Sequence, residues 1–157
     1  MSEKSITNVL TDEHPILIRY VKPSYIKDRD SKEVGEEIFQ LREDRSPPEE
    51  YISFFHSTKT TIDEKVIDIK LILEGRNFKI KKTSGFLFLN AIEALMEINI
   101  TREIISFREE GYPHYGMYYM SDEDMDIQEA KTILLYHYEL HLNADLEKVV
   151  SAKTIAR

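Results

Sequence analysis

Apolar side chains in this chain follow two rhythms, and their order along the sequence limits the folds open to it. One stretch repeats cleanly at helical spacing: Ile62, Val66, Ile69 and Leu73 are separated by four, three and four residues and share one face. Thr61 and Glu64 form a capping box at its start, Asp63 adds a first-turn acid, and Gly75 suits the position just past its end. Around this helix lie short runs rich in β-branched and aromatic residues: Pro15–Val21, Tyr51–His56, Gly85–Leu89, Ile100–Phe107 and Tyr115–Met120. Phe78 and Ile80 alternate with polar residues as a further strand, and Gly85–Leu89 either starts a buried strand or leads into a helix through Ala91–Met96.

A second helix is expected after Ser121 or Asp122 as cap, with Ile127, Ala130, Ile133, Leu134, Tyr138 and Leu140 on its apolar side. Strands and helices mix without a βαβ rhythm. The expectation is therefore α+β: a mostly antiparallel sheet with two principal helices, at about 61–74 and 124–142. Residues 14–143 form the domain, with a frayed N-terminus at 1–13 and a tail or short helix at 144–157.

Composition narrows the chemistry. Of 157 residues, 29 are acidic and 21 basic, a net charge of −8, which disfavours a general or sequence-specific nucleic-acid binder. There is no cysteine, so disulfides, thiolate zinc sites and cysteine nucleophiles are excluded. No apolar run approaches the ~20 residues a membrane helix needs. The N-terminus lacks a secretory apolar stretch, so the cytoplasm is the expected compartment. With five glycines and neither GxGxxG, GxxxxGK[ST] nor GxSxG, a Rossmann, P-loop or serine-hydrolase elbow is not expected, and no cofactor is implied.

Several residues are candidates for a site. His114, in Gly111–Gly116 between a turn and a strand, suits a general base or ligand contact. Tyr112, Tyr115, Tyr118 and Tyr119 around it suit a partner-binding platform; the alternative is a hairpin whose alternate tyrosines cover one sheet face. His137 and His141, four apart on the expected helix, make a weak metal pair, with His114 as a third ligand. Glu139 falls on another side of that helix and cannot serve as a zincin base. The knot Arg42-Glu43-Asp44-Arg45, with Glu49 and Glu50, reads as a solvated loop around Ser46-Pro47-Pro48, although paired carboxylates also suit Mg²⁺. Arg76, Lys79, Lys81 and Lys82 form a basic cluster that an edge strand would split between two faces. The acids of Asp122–Asp126 read as helix capping rather than a Ca²⁺ loop.

One pattern carries a likeness. Arg19, Val21, Pro23 and Ser24, then Phe39, Leu41 and Arg42, then Ile52 and Ser53, followed by Pro113-His114-Tyr115-Gly116, resemble the motifs of a loose group of uncharacterised small bacterial proteins found among mobile and defence-type gene sets. The likeness spans about positions 16–120, and the long acidic loop at 43–50 departs from it. It implies a context and no activity: a small accessory protein beside a larger subunit such as an ATPase or nuclease.

Two functions of different kinds follow. A non-catalytic interaction subunit predicts a tyrosine-rich or apolar patch and scattered histidines; an acidic immunity protein or antitoxin is a variant of it. A small hydrolase or nuclease predicts instead that His114 and charged groups from Arg19, Arg42 and Glu43 converge in one cleft. The first is the expectation from sequence.

Overall fold

A computed structural model describes residues 16–146; the expected frayed segment 1–13 and most of the expected tail at 144–157 lie outside the described residues. The chain is an α+β fold built on one six-stranded sheet. In chain order the elements are β1 (Ile16–Val21), β2 (Ile26–Asp28), β3 (Glu33–Val34), β4 (Ile52–Phe55), α1 (Ile62–Gly75), β5 (Gly85–Asn90), α2 (Ala91–Ile98), β6 (Ile105–Glu109), β7 (His114–Tyr119), α3 (Asp124–Leu134) and β8 (Tyr138–Leu142). Short 3₁₀ turns occupy Pro23–Tyr25 and Glu36–Phe39. The sheet order is β6-β7-β4-β1-β5-β8, with every neighbour antiparallel, and β2–β3 form a separate small ribbon.

Strand alternation sends side chains to two faces, and each face acquires its own core. Leu17, Val21, Ile52, Phe54, Leu87, Leu89, Phe107, Tyr115 and Met117 point to one side. There they pack against Ala91, Ala94 and Ile98 of α2, Ala130 and Leu134 of α3, and Ile38 and Phe39 of the second 3₁₀ turn. Ile18, Phe55, Phe86 and Phe88 point to the other side and meet Val66, Ile69 and Leu73 of α1. The α1 stripe is the one read from the sequence.

Thr61 caps α1 as expected: Glu64 donates its backbone N–H to Thr61 Oγ1, while the Glu64 carboxylate accepts the Thr61 hydroxyl at 2.6 Å, a side-chain bond in place of the capping box's return bond to the Thr61 N–H. The end differs from expectation. Gly75 is the last helical residue, and Asn77 takes the left-handed backbone (φ 61°) expected of the glycine. Asn77 N–H donates to Glu74 O and Phe78 N–H to Leu73 O, the paired bonds of a Schellman ending. An asparagine tolerates that conformation because its short polar side chain satisfies itself locally. Residues 78–80 are loop rather than strand, and Phe78 packs edge-on to Tyr20 at 4.9 Å. The run at 85–98 uses both expected forms, strand β5 and then helix α2, with the β6 strand starting at Ile105 rather than Ile100.

The largest correction concerns the second helix. It ends at Leu134, and Tyr138–Leu142 form the edge strand β8 on β5, from Leu89↔Tyr138 to Gly85↔Leu142. Tyr138, Leu140 and Leu142 fit two periods at once. Pairing with the open edge of β5 satisfies the backbone of both strands and buries Leu140, which a continued helix would not do. The N-terminus of α3 is also built differently. Neither Ser121 nor Asp122 is the cap; Glu123 is, without a side-chain bond. Ser121 instead donates to Asp126 at 2.6 Å, and Arg102 pairs with the same buried carboxylate.

Candidate functional site

The face carrying α1 is only partly covered. Cross-strand partners share a face, so the pairs Phe55↔His114 and Ser53↔Gly116 put Ser53, Phe55, His114, Gly116 and Tyr118 on the α1 side. The helix reaches Phe55 and stops short of the rest. Over Ser53, Phe55 and His114 lie the loop 40–50 and the segment after α1, with a cavity of about 390 Å³ between them, while the Tyr51 ring covers Gly116 and packs against Tyr118 at 5.2 Å. Its lining includes Arg19, Lys22, Arg42, Arg45, Glu49, Ser53, Arg76 and His114, with Tyr20, Tyr25, Phe55 and Phe78 as its aromatic parts.

A break in sheet pairing makes the space. β1 and β4 register at one residue pair, Ile18↔Phe55. Beyond it, the Arg19 side chain bridges the two segments: Nη1 donates to Ser53 O at 3.1 Å and Nε to Ile38 O at 3.0 Å. Burial drives the Arg19 guanidinium down to about 10, against the pull of Glu49, so it stays cationic at neutral pH. Arg19 follows strand parity with Leu17 and Val21, and its guanidinium occupies the gap between the two segments, where it forms part of the cavity lining.

The loop is held over the cavity by a reciprocal clasp. Arg42 N–H donates to Glu49 Oε1 at 2.7 Å, and Glu49 N–H donates to Arg42 O at 3.1 Å. This closes residues 42–49 into a ring and positions Arg42 and Arg45 over the opening. Arg42, Arg45 and Glu49, from the segment read as a solvated loop, therefore line the cavity. Glu43, the carboxylate expected beside His114, is exposed and outside the lining; Glu49 is the acid that enters it.

His114 sits at the floor. Its ring stacks on Phe55 (5.0 Å, 21°), with Arg76 over the Phe55 ring at 5.4 Å and Tyr51 beside the imidazole at 5.6 Å. Nε2 lies 3.2 Å from Ser53 Oγ. Burial lowers the imidazole pKa, the Arg76 charge lowers it further and Glu110 opposes, so His114 is neutral at pH 7. Gly116 keeps this floor flat: a Cβ there would come within 2.7 Å of the Tyr51 ring.

The other candidates separate. Tyr112, Tyr115, Tyr118 and Tyr119 do not make one platform. Tyr115 is fully buried in the opposite core, its hydroxyl pushed up to about 12 by that burial. Tyr119 donates to Phe39 O at 2.5 Å, Tyr118 donates to Glu110, and Tyr112 lies with its hydroxyl 2.7 Å from His56 Nδ1. Alternation along β7 sends Tyr118 and Tyr119 to opposite faces. His137 and His141 are not on a helix: His137 precedes β8 and bonds Glu97, while His141 lies in β8 edge-on to Phe88 at 4.8 Å. No cluster of three or more His, Asp or Glu suited to a metal occurs among the described residues. Of the basic cluster, Arg76 enters the cavity, while Lys79, Lys81 and Lys82 lie on the loop after α1 and not on an edge strand.

A larger hollow of about 940 Å³ borders Ile16, Lys59, Lys65, Glu93, Tyr136 and Glu139. Its charges are mixed, and His137 at its edge is already engaged by Glu97. Convergence of like charge marks the smaller cavity as the site. Of its charged lining residues, Lys22, Arg45, Glu49 and Arg76 are not among those the sequence placed around His114, and neither is Ser53. Ser53 had a signal, a small polar residue at the period-two position that shares a face with Phe55.

No protein family, curated protein or solved structure matches the chain. No helix among the described residues is long and apolar enough to cross a membrane.

Proposed function

We propose that the cavity binds a small anionic ligand through a phosphate-type group, making this a ligand-binding or hydrolytic protein rather than an accessory subunit. The observation that carries this reading is the gathering of Arg19, Lys22, Arg42, Arg45 and Arg76 around a single carboxylate, Glu49. Acids outnumber bases 29 to 21 over the whole chain, so the concentration is local. Guanidinium groups offer bidentate donors that match phosphate oxygens. The volume of about 390 Å³ lies in the range of ordinary small-ligand sites, roughly 300–1,000 Å³.

The overall charge also favours a small ligand over a polymer. A net charge of −8 repels an extended polyanion at distance, whereas a compact anion that enters the cavity meets mostly positive groups. The accessory-subunit reading relied on a tyrosine surface, and those tyrosines divide between two faces. The hydrolase reading asked for His114 and charged groups in one cleft, and Arg19 and Arg42 lie there with it. The bacterial defence context suggested by the motif resemblance is compatible with this reading and adds nothing to its chemistry.

Thermal melting at matched ionic strength tests the proposal. Inorganic phosphate and pyrophosphate should raise Tm in a saturable way, and chloride should not. Identical melting in all three would refute the anion site.

A further inference from the structure

We infer that Ser53 and His114 form a nucleophile–base pair that accepts a phosphoryl group from a phosphate monoester held in the cavity. The inference rests on the reading of the cavity as an anion site and adds a reaction to it.

The pair has the required approach. Ser53 Oγ is 3.2 Å from His114 Nε2, within reach of proton transfer once a ligand tightens the site. The Ser53 backbone and the His114 ring are held from outside the pair. Arg19 fixes the Ser53 carbonyl at 3.1 Å, and His114 is stacked on Phe55 with Tyr51 beside it. The imidazole is neutral at pH 7, as a base must be, because burial and Arg76 both resist its protonation.

The surroundings select the group transferred. An acyl intermediate develops one negative charge and needs one or two donors. A phosphoryl group carries charge over three equatorial oxygens through the reaction, and the cavity lining supplies several cations to face them in Arg19, Arg42, Arg45 and Arg76.

Ser53 Oγ attacks phosphorus as its proton passes to His114 Nε2; the Oγ–P bond forms while the bond from phosphorus to the ester oxygen, in line on the far side, breaks, and the departing oxygen takes a proton from water. Water then attacks phosphorus in line opposite Oγ and loses its proton to solvent, while the Oγ–P bond breaks, Oγ takes back the proton held on His114, and inorganic phosphate leaves.

The test uses the full chain with p-nitrophenyl phosphate, acid-quenched and read by intact mass and peptide fragmentation. The expected result is one added phosphoryl group on Ser53 together with release of nitrophenol. Ser53→Ala should abolish the adduct while still binding inorganic phosphate by calorimetry. His114→Gln should slow adduct formation by about a hundredfold or more. The wild-type rate should fall as pH drops through a value below 6.5, and this fall should vanish in His114→Gln. Turnover in Ser53→Ala at the wild-type rate overturns the pair, since water would then be attacking directly. So does absence of both adduct and turnover in wild-type protein that binds phosphate, an outcome that leaves the anion site standing. Failure of wild-type protein to bind phosphate at all removes the underlying reading.

Discussion

The two faces of the sheet are closed by different means. On one side α2, α3 and a 3₁₀ turn cover the strands with apolar residues, and Ile52, Phe54, Leu87, Phe107 and Tyr115 are almost entirely excluded from water. On the other, α1 covers Ile18, Phe55, Phe86 and Phe88 and leaves Ser53 and His114 facing an arginine-bearing loop. The first face is a stability element. The second combines a smaller core with a polar hollow, in which Arg19 takes the place of regular pairing between β1 and β4. The Ser53 carbonyl at the break, and the Ile38 carbonyl of the 3₁₀ turn, are satisfied by a cation, which thereby becomes fixed at the wall of the cavity.

Substitutions should separate the two faces by effect. Phe54→Ala, in the closed face, should destabilise by about 3–5 kcal/mol in denaturant unfolding, through lost burial and the void left behind. A loss under about 1 kcal/mol would mean that this core is not packed as described. Arg19→Ala should cost about 1–3 kcal/mol, because Ile38 O and Ser53 O lose their donor, and should weaken phosphate binding as well. Thr61→Ala removes the α1 cap and should cost about 1 kcal/mol without changing anion affinity. Arg45→Ala, an exposed loop residue, should alter stability by less than about 0.5 kcal/mol yet reduce phosphate affinity. Equal phosphate affinity in Arg45→Ala and wild type would remove the loop from the site.

Acid should act on the cavity face. Burial holds His114 below the ordinary imidazole value of 6.5, and His141 likewise, so the unfolded chain binds these protons more readily than the folded one. Their contribution to stability is complete above pH 6.5 and is lost as pH falls through each lower native value. His114→Gln should flatten that decline by at most about 1.4 kcal/mol per pH unit. An unchanged slope would place the titration elsewhere.

Local signals were legible in the sequence where a single element satisfied itself. The α1 stripe and its Thr61 cap, and the hairpin turning at Gly111–Pro113, needed no information from distant residues. The β8 strand was not legible, because Tyr138 and Leu140 continue a helical face as well as a strand face, and the choice depends on the free edge of β5. The cavity was partly legible. His114, Arg19 and Arg42 carried marks of chemistry, but their convergence depends on the break after Ile18 and on the clasp between Arg42 and Glu49. That clasp selects Glu49 over Glu43, two acids the sequence alone does not rank.

Titration calorimetry of inorganic phosphate into wild-type protein and into the Arg42→Ala/Arg45→Ala double variant tests the anion site most directly. Wild type should show saturable one-site binding that weakens with added salt. In the double variant affinity should fall at least about tenfold, about 1.4 kcal/mol, with an unchanged melting temperature. No saturable binding to wild type, or equal affinity in the two proteins, would contradict the anion site.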